Sequence, residues 1–319
     1  MIGILQFGLL AAVGWTAIAA IALACAWPLV RARTQRLPPA VRARALLVVA
    51  AAPAAIGALV AVLCFLPGAI GAMADHCLSH ASGHAHLCVS HPPAGLGALG
   101  AAILAGAIAA TLAASCFGLA GLLREAARVR HLRRTATPDA ARGFDLVESR
   151  LPVAVATGTL RPRVLVSTGL LSSLAPPLVD AVLAHERAHA ERRDGLRRLA
   201  VAALASAHFP WVRRALESDH ALACEQACDE QAGDRVGDRL TVAEAILAVE
   251  RRLGSAAELG ALAFTGGQIQ ARVEALASPR TPAPRARIGL ACLGTLALLA
   301  VSAPVLHDLT EHVVTHLAR

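Results

Sequence analysis

The chain of 319 residues has no lysine, no asparagine and no tyrosine, and aromatic residues make up only 3% of it. Its 30 basic side chains are therefore all arginine, set against 22 acidic ones, and no phenol is available as a hydrogen-bond donor. Charge is also missing from particular places. No charged side chain precedes Arg31. The apolar N-terminal stretch thus lacks the positive flank of a secretion signal and is expected to stay as an anchor. What the chain has in excess is apolar residues. A hydrophobic content of 56% and a mean hydropathy of +0.58 exceed what a soluble globular protein carries.

The excess falls in four blocks, at 1–30, 45–73, 94–123 and 288–306, each long enough for a helix that crosses a bilayer. Arginine placement orients them. The connection 31–44 carries Arg31, Arg33, Arg36, Arg42 and Arg44, whereas 74–93 carries no basic residue but histidine. Arg124, Arg128, Arg130, Arg133 and Arg134 follow the third block, and Arg280, Arg285 and Arg287 precede the fourth. Positive residues stay on the cytoplasmic side. The expectation is an inner-membrane protein with 31–44 and 124–287 in the cytoplasm. The N-terminus, the loop 74–93 and the tail 307–319 then lie outside. The net charge of +8 is accounted for by these flanks, so the lipid bilayer is the expected partner and no direct nucleic-acid binding is expected. Gly95, Gly100, Gly106, Ala110 and Ala114 would let the third span pack closely on its neighbours, or they reflect composition alone.

Inside 124–287, Pro152 to Gly158 and Arg163 to Thr168 are short β-rich runs joined by four residues, the pattern of a hairpin. From Pro176 the pattern turns helical, Pro210 interrupts it, and another helix is expected from Val212 through Gln231. Pro279, Pro282 and Pro284 read as a stiff linker. The expected fold class is an α-helical integral membrane protein. Four transmembrane helices carry a mainly helical α+β peptidase domain of zincin type, with a small hairpin or sheet, between helices 3 and 4.

The chemistry is concentrated in His185-Glu186-Arg187-Ala188-His189. Two histidines four apart project from one face of a helix, a spacing that suits two imidazole nitrogens on one zinc ion, with Glu186 placed as a base beside them. A catalytic zinc takes three protein ligands and keeps one position open. Glu225 is the expected third ligand. Asp229, four residues on, is expected to orient a ligand histidine through its far nitrogen, and Asp194 is a second candidate for that task. Cys224 and Cys228, flanking Glu225, are expected to be packing residues, as are Cys25, Cys64, Cys116 and Cys292 in the apolar blocks.

At these residues the sequence resembles the BlaR/MecR-type membrane zinc metallopeptidases, a gluzincin group of antirepressors and sensors. The resemblance rests on HERAHAERRD, the later Glu225-x-x-x-Asp229, the approach Arg161-Pro162-Arg163-Val164-Leu165-Val166 with Gly169-Leu170-Leu171, and the connection His208-Phe209-Pro210-Trp211. It implies one catalytic Zn²⁺, Glu186 as general base that passes its proton to the leaving amine, and cleavage of a cytoplasmic protein. The implied substrate is a BlaI/MecI-type winged-helix repressor, cut in response to an outside signal. Members that sense β-lactams carry a penicillin-binding domain after the fourth span, where this sequence has only 307–319, so that signal is not expected. Gluzincins that use a tyrosine to hold the oxyanion have no counterpart here, which leaves His208, His220 and Arg235 as substitutes. The strand Arg163 to Thr168 is expected to pair with an extended substrate.

The outer loop holds His76, Cys77, His80, His84, His86, Cys88 and His91, and the tail adds His307, His312 and His316. Imidazole and thiol are ligands for copper or zinc, so a second metal there would make the loop a sensor. A Cys77–Cys88 staple with solvated histidines is the other reading, and both stay open. Two further functions also stay open: a membrane quality-control protease of the HtpX type, and a non-catalytic metal-binding membrane sensor. The second leaves Glu186 without a task.

Overall fold

The computed structural model describes residues 2–69, 96–139, 142–254, 266–280 and 301–318. The chain is mostly helical with one small four-stranded sheet. Helices α1 (Ile2–Gln35) and α2 (Pro39–Ala69) form an antiparallel pair. Their apolar parts, Leu5–Gln35 and Pro39–Cys64, are long and apolar enough to cross a membrane. The expected basic connection 31–44 is almost entirely helical, because Arg31 and Arg33 extend α1 and Arg42 and Arg44 open α2. Only 36–38 turn.

Helix α3 (Ala98–Thr135) continues unbroken past the expected boundary at 123 and through the arginines that follow it. No charged side chain interrupts it before Arg124. The outer-loop residues His76, Cys77, His80, His84, His86, Cys88 and His91 lie outside the described residues, as does most of the fourth apolar block. Helix α10 (Ala303–Ala318) starts before the expected end of the fourth span and covers all but the last residue of the expected tail. It packs on α1 and α2: Trp15 Nε1 donates to Thr310 Oγ1 at 2.9 Å, and His307 is buried with Nδ1 2.9 Å from the carbonyl of Cys64.

The sheet has the order β1 (Thr137–Asp139), β2 (Phe144–Val147), β4 (Arg163–Ser167), β3 (Ala154–Thr157). β3 and β4 form the expected antiparallel hairpin, Gly158 taking the positive φ of 98° that the turn requires. β4 also pairs in parallel with β2. Partnered on both sides, β4 has no free edge, so the expectation that Arg163 to Thr168 receives substrate is corrected. Val164 to Ser167 are buried in succession, as a continuous apolar run in a central strand should be. β3 is the edge, with no strand on its outer side among the described residues.

Ser167 closes the strand by capping α4 (Thr168–Ser173), accepting from Leu170 N–H while donating to the carbonyl of Leu151 at 2.6 Å. Helix α5 (Pro176–Arg192) lies on this sheet through Val179 and Leu183, which join Phe144, Val164, Val166 and Leu170 in one core. Arg193, at φ 53°, ends α5 in the left-handed region and α6 (Asp194–Leu204) starts at once. A single turn (Ala205–Ala207) leads to α7 (Pro210–Val236), followed by α8 (Arg239–Gly254) and α9 (Gly266–Ala277).

The two helices of membrane length do not stand apart from this domain. Trp27, Ala43, Leu46 and Ala50 share a buried core with Val201, Ala205, Val212, Leu216, Ala223 and Cys224 of α6, the turn and α7. Arg31 clamps Asp219 at 2.7 and 2.9 Å.

Close helix approach occurs at Gly57 of α2. A Cβ at Gly57 would overlap Thr16 Oγ1 and the carbonyl of Ala12 on α1, whereas Gly106, Gly118 and Gly121 of α3 face open space. Gly57→Ala should therefore force α1 and α2 apart at a cost of about 1–3 kcal/mol, while Gly106→Ala should be close to neutral. Thermal unfolding in detergent checks this. Equal melting points for the two variants would mean that the α1–α2 contact is not tight.

Candidate metal centre

His185 and His189 sit on consecutive turns of α5, and Glu225 faces them from α7. The two histidine Nε2 atoms are 3.1 Å apart. His185 Nε2 lies 3.4 Å from Glu225 Oε2, and His189 Nε2 lies 3.5 Å from Glu225 Oε1. Three ligands of a tetrahedral zinc with bonds of about 2.0–2.1 Å are separated by about 3.3–3.4 Å, close to all three edges of this triangle. The three residues also form a group whose ligand atoms converge. The donor set, two neutral-capable imidazoles and one carboxylate, is that of a catalytic rather than a structural zinc. The residues present fit the ion.

Each imidazole is held from behind by its own carboxylate. His185 Nδ1 is 2.8 Å from Asp229 Oδ1, a charge contact whose direction falls short of a good hydrogen bond. His189 Nδ1 is 3.0 Å from Asp194 Oδ2 and donates to it. Each of the two expected orienting carboxylates thus stands behind one histidine, and the Nε2 atoms of both rings face Glu225. Asp194 reaches His189 because α5 stops three residues after it and the left-handed Arg193 turns the chain back. As the first residue of α6, Asp194 also sits at the positive end of that helix.

Buried carboxylates need compensation. Asp194 is 1% exposed and receives Arg192 Nε at 3.3 Å and Arg197 Nη1 at 3.4 Å. Burial opposes its charge, but the His189 hydrogen bond and Arg192 outweigh it and hold its pKa down at about 2. Burial likewise works against Glu225 and Asp229. Contacts with His185 and His189 keep Glu225 well below the ordinary range, and the Arg272 pair lowers Asp229. Burial pushes His185 towards neutrality, but the charge of Asp229 and the contacts with Asp229 and Glu225 prevail and raise it to about 10.

Sequence reasoning missed Arg272. From α9 it forms a bidentate pair with Asp229, at 2.8 and 2.7 Å, and its Nη1 lies 3.3 Å from Glu225 Oε2. The signal was present. Ile269, Arg272, Val273 and Leu276 follow helical spacing, so an arginine stands in an otherwise apolar stripe. Arg198 was missed as well. Half-exposed on α6, it donates to Glu225 Oε1 at 2.5 Å.

The substitutes considered for the missing tyrosine have other partners. His208 Nε2 lies 3.1 Å from the carbonyl of Ala50, His220 is buried against Cys224, and Arg235 pairs with Glu191 on the surface. Cys224 is a packing residue whose thiol burial pushes up to about 12. Cys228 does more than pack: its thiol donates to Asp194 Oδ2 at 3.3 Å and is 3.3 Å from His189 Nδ1.

The comparison with known families bears on this same stretch. Residues 123–278 match Peptidase family M48. The match supports a zinc metallopeptidase family and is broader than the BlaR/MecR likeness, which it does not single out. No curated protein and no solved structure matches the chain. The matched segment contains all residues of the candidate metal site, from His185 to Arg272.

Arg272 is central to the charge balance of this buried cluster. Removing one partner of a buried pair costs about 3–5 kcal/mol, so Arg272→Ala should lower the melting point sharply and cut zinc content. Arg272→Met, which fills the same space without the charge, should do no better. A melting point within error of wild type for Arg272→Ala would refute the role of this pair.

Proposed function

We propose that this chain is a membrane zinc metalloendopeptidase whose peptidase domain faces the cytoplasm and cuts a cytoplasmic protein in response to an outside signal. The observation that carries the enzymatic part is the convergence of His185, His189 and Glu225 with Glu186 beside them. A zinc ion held by these three residues would supply Lewis acidity for a water and for the substrate carbonyl. Glu186 is half-buried and reachable. Its Oε2 accepts the N–H of Ala156 on the edge strand β3 at 2.6 Å, which ties the base to the strand along which an extended peptide would lie. Glu186 takes the proton from the attacking water and hands it to the leaving amine. Asp194 holds His189 by a hydrogen bond and Asp229 holds His185 by its charge, so that both rings turn Nε2 towards the ion's place.

Two helices long and apolar enough for a bilayer, and the arginines at their shared end, support membrane anchorage with the domain inside. The proposed substrate is a winged-helix repressor of the BlaI/MecI type, and the proposed signal a metal ion taken up by the outer loop; both rest on the sequence. The M48 match is equally consistent with quality control of the HtpX type. Comparing proteins that accumulate in wild type and in Glu186→Ala separates the two: one repressor in the first case, many unrelated membrane proteins in the second.

Glu186→Ala is expected to abolish cleavage and retain zinc, whereas His189→Ala and Glu225→Ala lose both, as read by metal analysis beside a peptide-cleavage assay. Cleavage by purified Glu186→Ala at the wild-type rate would falsify the peptidase assignment.

In the absence of tyrosine, Arg198 is the donor proposed to face the oxyanion, because it reaches the ligand carboxylate from the solvent side. Loss of one such donor costs roughly 10²–10³ in kcat. Arg198→Ala should show that loss with KM and zinc content little changed. An unchanged kcat would remove Arg198 from the mechanism.

A further inference from the structure

The turn between α6 and α7 has an unusual surface. Fourteen residues, 199–212, carry no acidic or basic side chain other than His208. Within them Phe209 is 43% exposed and Trp211 is 53% exposed, with Pro210 between them exposed as well. Exposed aromatics of this size on a turn need a covering surface.

The position of the turn identifies that surface. His208 Nε2 lies 3.1 Å from the carbonyl of Ala50. Ala50 is six residues beyond Arg44, the last charged residue of α2, and at 1.5 Å per residue the contact lies about 9 Å into the apolar part of that helix. On α1 the neighbouring contact is Trp27, again on the apolar side of Arg31. Ala205 and Val212, at the two ends of the turn, are buried in the same core as Trp27, Leu46 and Ala50. At this level the outer faces of α1 and α2 expose Leu29 and Val48. The aromatic turn therefore continues a surface that two helices of membrane length present to lipid. The next residues, Arg213 and Arg214, are both exposed and restore charge immediately after the turn.

We propose that the turn Ala205–Trp211 is an interfacial anchor of the peptidase domain, with Phe209 and Trp211 seated in the headgroup–acyl boundary beside α1 and α2. An indole and a phenyl ring suit that layer, being apolar in body and, for the indole, polar at one edge. Irregular backbone at such depth is tolerable only where protein satisfies it. Here the buried imidazole of His208 engages α2, the amide of His208 bonds the carbonyl of Ala205, and Pro210 has no N–H to satisfy. The anchor would fix the domain against the bilayer, so that α6 and α7, which deliver Asp194 and Glu225, are held at a set height below it.

This inference rests on the reading of α1 and α2 as membrane helices, and tryptophan fluorescence separates the two. Full-length protein is reconstituted into phosphatidylcholine–phosphatidylglycerol vesicles, with and without bromine in the upper acyl chains, as wild type and as Trp211→Phe. The difference between the two proteins is the emission of Trp211, and the remainder is that of Trp15 and Trp27. The expected result is a blue-shifted Trp211 component that loses most of its intensity in brominated vesicles and resists acrylamide. Zinc content and melting point equal to wild type certify the variant. A Trp211 component quenched by acrylamide but not by bromine, while the Trp15–Trp27 emission is quenched by bromine, overturns the anchor and leaves the membrane helices standing. Quenching of Trp211 by neither agent means that protein, a second copy or another partner, covers the turn, and also overturns it. If the Trp15–Trp27 emission too is indifferent to bromine, both readings fall.

Discussion

Three carboxylates are buried around two imidazoles in this domain, and such a concentration of negative charge holds only if cations come to it from elsewhere in the chain. Arg272 meets the most demanding of these requirements. Its planar fork satisfies both oxygens of Asp229 while a third nitrogen reaches Glu225. For this, α9 must return across α7 and lie against it. Gln226 secures the crossing: its amide donates to the carbonyl of Ala271 at 2.8 Å, and its oxygen accepts from Arg42 of α2. With α9 in place Asp229 stays ionised, and an ionised Asp229 holds His185. The geometry of the candidate metal site therefore depends on a contact outside its proposed ligands.

Helix α7 has two working faces. Val212, Leu216, Ala223 and Cys224 are buried towards α1 and α2, while Glu225, Cys228 and Asp229 look towards α5. One rigid element thus borders both the membrane-length pair and the metal site, with no linker between them. A shift of α2 would be felt by Glu225 through Gln226 and Arg42, since the helix between them has little room to deform.

The parts legible in the sequence were those in which structure is local. His185 and His189, and Glu225 and Asp229, are each four apart on a helix, where spacing alone decides which face they share. Asp194 was legible because it is five residues from its partner, though its claim and that of Asp229 read as rivals, whereas each stands beside a different imidazole. The hairpin of β3 and β4 was readable from β-branched runs, but not which of the two strands was free. The uninterrupted burial of Val164 to Ser167 answers that, because a strand with one wet face alternates. Arg272, Arg198 and the contact of His208 with α2 were not legible, since each depends on how separate helices cross. The outer loop, which the sequence made conspicuous, lies among residues that the structure does not describe.

The edge strand has one amide to give. Ala156 stands opposite Val164 with its N–H turned away from β4 and donated to Glu186. A backbone N–H makes one strong bond at a time, so it cannot hold the base and a docked peptide carbonyl together. A chain that added itself along β3 through Ala156 would release Glu186 as it bound, and water alone would leave it tethered. Occupancy of the edge and freedom of the base would then be the same event, a latch that only a strand-shaped guest can lift.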